Sequence, residues 1–165
     1  MIDAEQPDDA FQEVIELTSA IGARFSPRNN LQSELGLSSR EMAKFWEVSC
    51  KFLKQKRFSE AADAFLFLAT IDPQNVGYWL NLGMAEYGCN RPSLALKAFG
   101  MACIVDPDNP APHVYAAECY MAKEDLNKAV DSLKLALVDD IDRQELTVIK
   151  KRAMDLTKVI KNFRS

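Results

Sequence analysis

The chain has 165 residues, 48% of them hydrophobic and 15 of them aromatic, enough to bury one domain's core and too apolar for a disordered chain. Its net charge of −4 gives no clustered basic surface for nucleic acid. Four cysteines, at 50, 89, 103 and 119, form no CxxC pair, and the single histidine leaves no zinc or redox motif, so neither cofactor nor metal is expected.

In chain order, an N-terminal arm comes first, spanning residues 1–40. Phe11, Val14, Ile15, Leu17, Thr18 and Ile21 make an apolar stripe at helical spacing over residues 9–23, on a segment carrying six acids and no base in residues 1–23. Ser26-Pro27-Arg28-Asn29-Asn30 reads as a loop. The opening Met-Ile-Asp-Ala-Glu lacks the basic start and apolar run of a signal peptide. No stretch is long and apolar enough for a membrane helix. Together these predict a cytoplasmic protein without membrane insertion. Ser38-Ser39-Arg40-Glu41 then has the pattern of a capping box.

The next region, residues 42–141, repeats itself. Ala61, Ala95 and Ala129 stand 34 apart, and Phe65, Phe99 and Leu133 keep the same step. So do the small residues Ser49, Gly83 and Ala117. Pro73 and Pro107, each after an aspartate, stop a helix at the end of the first two units. A period of 34 is that of the tetratricopeptide repeat, a helical hairpin that stacks into a superhelix with a concave face. The predicted fold is therefore all-α, with three units over 42–75, 76–109 and 110–141. Two departures are Glu86, where a tyrosine is usual, and Ile141, where a third proline would fall. A C-terminal helix in residues 142–165, with Leu146, Ile149, Ala153, Leu156, Val159, Ile160 and Phe163 on one face, is expected to cap the open end.

Catalysis finds little support. The lone His113 falls where a unit packs an aromatic, and no phosphate loop, nucleophile elbow or metal-ligand pair is present. The chain reads as a non-enzyme. First helices line the inner wall of such a stack, through positions 2, 5, 9, 12 and 13 of each unit. These are Ala43, Trp46, Cys50, Leu53 and Lys54, then Gly77, Leu80, Met84, Tyr87 and Gly88. The third unit supplies Ala111, Val114, Glu118, Met121 and Ala122. That wall is apolar and suits a protein partner, although a slip of one position would move some of these residues into the core. A basic clamp for acidic C-termini is missing. Trp46, Cys50, Ala111 and Tyr115 occupy its positions, and only Asn81 fits.

The layout of arm, three repeats and C-terminal helix, with the run Pro112-His113-Val114-Tyr115-Ala116-Ala117-Glu118-Cys119 in the third unit, resembles the class II chaperones of bacterial type III secretion. The resemblance covers most of the chain. It implies a cytoplasmic, non-enzymatic protein that takes an extended apolar segment of a hydrophobic translocator into the groove. Trp46, Cys50, Leu53, Leu80, Met84, Tyr87, Val114 and Met121 would form the peptide pockets. It also implies a homodimer through the arm, with Phe11, Val14, Ile15 and Thr18 as candidate contacts, though packing of the arm on the first repeat fits the same stripe. The small residues Ala43 and Cys50 depart from a first groove helix richer in aromatics. A repeat scaffold serving a different protein partner is the alternative.

Overall fold

The computed structural model describes residues 31–137 and 147–164. All the regular structure among them is helical: α1 (Leu31–Glu34), α2 (Ser39–Lys54), α3 (Phe58–Ile71), α4 (Val76–Gly88), α5 (Pro92–Val105), α6 (Ala111–Ala122), α7 (Leu126–Leu137) and α8 (Thr147–Arg164). The stripe at 9–23, with Phe11, Val14, Ile15 and Thr18, lies outside the described residues, as do Ile141 and Leu146.

The helices pair as three hairpins, α2/α3, α4/α5 and α6/α7, and each stacks on the next; α8 packs on α7 and α6. Local sequence sets each boundary. The capping box is present: Glu41 N–H donates to Ser38 Oγ at 3.3 Å, and Ser38 N–H donates to Glu41 Oε2 at 2.8 Å. Between units, the turns Asp72-Pro73-Gln74-Asn75 and Asp106-Pro107-Asp108-Asn109 repeat one solution. Proline stops one helix, and the asparagine Oδ1 accepts the backbone N–H of Gly77 or Ala111, each at 3.0 Å, to start the next.

Within each hairpin a second device recurs. Lys56, Asn90 and Glu124, spaced 34 apart, adopt left-handed backbone with φ of 59°, 58° and 62°. Each closes its first helix with the same pair of bonds. Asn90 N–H donates to Tyr87 O and Arg91 N–H to Glu86 O, at 2.9 and 3.0 Å; the hairpins turning at Lys56 and Glu124 have the equivalents. Glu86, in place of an aromatic, pairs with Arg91 across this turn at 2.7 Å, out of hydrogen-bond alignment.

Small residues let the helices approach. A Cβ on Gly83 would lie 2.4 Å from the Phe99 ring, and one on Gly88 would lie 2.4 Å from Phe58. Ser49 is buried at the equivalent position, its hydroxyl donating to Phe45 O at 2.7 Å, and Ala117 is fully buried. Phe65, Leu68, Phe99 and Leu133 fill the space so created.

Exposure of apolar residues is uneven at the two ends of the stack. Aromatics of the first helices pack against the preceding unit, and α2 has none before it among the described residues. Phe45 is therefore 43% exposed and Val48 49%, with Phe45 meeting Phe67 edge-on at 5.5 Å. In α8, Ala153 and Ile160 are buried and Ile149 and Leu156 half-buried, whereas Val159 and Phe163 are exposed. Phe163 lies three residues from Ile160 and seven from Leu156, on the same stripe, so its exposure shows that the apolar face of α8 continues past the part that packs on the hairpins.

Candidate peptide-binding groove

The first helices form the inner wall: α4 and α6 touch one another directly as well as through α5. Two clefts open along the described part of this surface. The first, about 610 Å³, is lined by Trp46, Met42, Ala43, Gly77, Tyr78 and Gln32 among others. Trp46 sits edge-on to Phe65 and tilted against Tyr78, both at 5.5 Å, and a Cβ on Gly77 would come within 3.3 Å of its ring. Glycine at 77 therefore makes room for the indole, which remains half-buried.

The second cleft, about 180 Å³, gathers Met84 and Tyr87 from α4, Phe99 from α5, Tyr115 and Glu118 from α6, and Arg152 from α8. Met84 is 36% exposed and Tyr87 40%. Phe99 and Tyr115 stack at 5.5 Å. Arg152 Nε donates to Glu118 Oε1, and its guanidinium carbon lies 5.6 Å from the centre of the Tyr115 ring. Burial raises the phenol pKa of Tyr87, with the Glu118 charge adding to the rise and Arg152 opposing it. The same burial raises Tyr115, again opposed by Arg152.

The eight pocket candidates thus fall into distinct settings. Trp46 lines the first cleft; Met84 and Tyr87 line the second. Cys50 and Leu53 are half-buried against the first core cluster, Leu80 against the cluster around Phe99, and Met121 against that around Leu133. Val114 departs from the expectation. It is 0% exposed, in the cluster that also holds Ala153 and Ile160 of α8, and so offers no surface to a ligand. Tyr115 and Arg152 are additions. Tyr115 lies one position from Val114 within a run already singled out, but no sequence signal places Arg152 beside α6, because tertiary packing alone joins them.

Other polar groups bear on the chemistry. Asn81 donates to Gly77 O at 2.8 Å, so its amide is tied to its own helix. Cys103 Sγ lies 3.8 Å from His113 Nε2, but burial pushes the thiol up to about 12, which keeps it protonated and poorly nucleophilic at neutral pH. No group of three or more potential metal ligands occurs among the described residues.

No protein-family model matches the chain. Among curated proteins, low calcium response locus protein H of Yersinia pestis is 23% identical over 125 residues, 76% of this chain and 74% of that protein. Among solved structures, the Yersinia enterocolitica type III secretion chaperone SycD, bound to a peptide of the translocator YopD, superposes with a TM-score of 0.70 at 21% identity. The match covers 78% of this chain and 98% of that one. This is the fold of the type III secretion translocator chaperones. PcrH in complex with the chaperone-binding region of PopD shares it, with a TM-score of 0.73 at 19% identity over 79% of this chain and 98% of that one. In this chain the translocator-chaperone fold carries both clefts on its inner wall. No helix among the described residues is long and apolar enough to cross a membrane.

Proposed function

We propose that this chain is a cytoplasmic chaperone of type III secretion. It holds an extended apolar segment of a hydrophobic translocator protein in its concave groove and keeps that client soluble until export. One observation carries the reading: Met84 and Tyr87 remain exposed on the inner wall, and Trp46, Leu53 and Leu80 stay half-buried at its other positions. The fold is shared with a chaperone solved on a translocator peptide. Apolar side chains left accessible at one concave site mark a place that a partner covers. The work is binding, with no bond made or broken.

In this reading the arm, residues 1–40, joins two copies through Phe11, Val14, Ile15 and Thr18. The three units at 42–75, 76–109 and 110–141 present the groove, and 142–165 closes the stack. Trp46, Cys50, Leu53, Leu80, Met84, Tyr87 and Met121 contact the client.

A fluorescence titration tests the proposal. Trp79 is anchored away from the clefts, its Nε1 donating to Pro73 O at 2.8 Å, so a Trp79→Phe background isolates the signal of Trp46. Capped leucine- and proline-rich peptides are expected to saturate it at roughly micromolar concentration. Met84→Asp or Tyr87→Asp should weaken that binding by more than about tenfold with unchanged helical circular dichroism. Saturation by peptides ending in acidic free carboxylates, or by neither set, would return the chain to a repeat scaffold for another partner.

A further inference from the structure

The second cleft is apolar in its walls and one-sided in its hydrogen bonding. Arg152 is engaged only through Nε, to Glu118 Oε1, and through its face, to Tyr115. Its two terminal NH2 groups have no acceptor among the described residues, and the hydroxyls of Tyr87 and Tyr115 have no partner there either. Guanidinium N–H groups are donors only, and phenols donate readily. The cleft therefore holds a surplus of donors beside the exposed Met84.

Glu118 decides which acceptor fits. Its side chain is 18% exposed against 50% for Arg152, so the carboxylate sits deeper and already neutralises the guanidinium. A client carboxylate would meet Glu118 at close range with no net positive charge to receive it. A neutral carbonyl meets no such penalty. Extended peptides carry one at every residue, and in a groove no neighbouring strand satisfies it.

We infer that Arg152, with Tyr87, is the polar anchor of the groove: it donates to a main-chain carbonyl of an uncharged extended segment whose apolar side chain seats on Met84, while Glu118 excludes acidic side chains from that subsite. The inference rests on the peptide-binding reading above and assigns α8 a part in recognition as well as in capping.

The test compares the full chain with Arg152→Met, which keeps the stem over Tyr115 but no donor, Arg152→Lys, and Glu118→Gln. Two capped leucine-rich peptides are titrated against each, identical except for one central leucine replaced by aspartate. Arg152→Met should bind the apolar peptide about tenfold more weakly than the parent, the loss of one charge-assisted hydrogen bond, with Arg152→Lys recovering part of it. Glu118→Gln leaves Arg152 without its counter-charge and should improve binding of the aspartate peptide by about tenfold relative to the apolar one. Parent-like binding by Arg152→Met at an unchanged melting temperature overturns the anchor. An unchanged peptide preference in Glu118→Gln overturns the exclusion, and this readout holds even if Arg152→Met folds poorly. If the parent chain binds neither peptide, the chaperone reading itself fails, a distinct result.

Discussion

At the scale of single residues, two ring contacts concentrate the packing energy. Phe65 and Phe99 are 0% and 1% exposed at equivalent places in successive units, each surrounded by alanines and leucines that cannot collapse into the space a ring would leave. Replacing either with alanine should cost about 3–5 kcal/mol, read as a shift in denaturant midpoint at constant slope. Gly83→Ala attacks the same contact from the other side. The added methyl would lie 2.4 Å from a ring already packed against Tyr115, so relief requires moving two aromatics. A loss of about 1–3 kcal/mol is expected, smaller than that of Phe99→Ala. A neutral Gly83→Ala would show that the helices can part without cost.

At the scale of elements, the hairpins are joined by a turn that the sequence does not favour. Lys56, Asn90 and Glu124 hold a left-handed conformation that glycine adopts without penalty and that asparagine tolerates better than lysine or glutamate. Lys56→Gly and Glu124→Gly should each stabilise the fold by about 0.5–1 kcal/mol, the relief of strain exceeding the added entropy of the unfolded chain. Asn90→Gly should gain less. Thermal or denaturant unfolding checks the order, and a destabilised Glu124→Gly would mean that its side chain does more than turn the corner. The asparagines at 75 and 109, by contrast, sit where sequence and structure agree, each accepting a bond from the helix it starts.

At the scale of the whole molecule, the buried titratable groups set the response to alkali. Burial lifts Cys103 and Cys119 from an ordinary 9.0 to about 12, and raises Tyr78, Tyr87, Tyr115 and Tyr120 above 10.0. Each group keeps its proton to a higher pH folded than unfolded. The stability linked to the neutral form is thus complete below the unfolded pKa and is lost as pH rises through the folded one. The melting temperature should be level up to about pH 9 and fall between there and about pH 12. The fall should be shallower in a Cys103→Ala, Cys119→Ala double variant, since the tyrosines remain. A flat profile to pH 12 would show that these side chains are open to water.

The three hairpins, their boundaries at Asp72-Pro73 and Asp106-Pro107, and the close approach at Ser49, Gly83 and Ala117 were legible in the sequence. They depend on short-range chemistry repeated at a fixed period: a proline cannot continue a helix, and a small side chain is the condition for two helices to touch. The same period placed Trp46, Met84 and Tyr87 on the inner wall. Tertiary structure alone decided what lies outside that period. Val114 occupies a groove position yet is sealed in the cluster shared with α8, and Arg152 reaches Glu118 across 34 residues of sequence to wall the second cleft. A repeat pattern specifies how each unit meets a neighbour like itself. The last unit meets a helix unlike the others, and the surface there follows from how that helix docks.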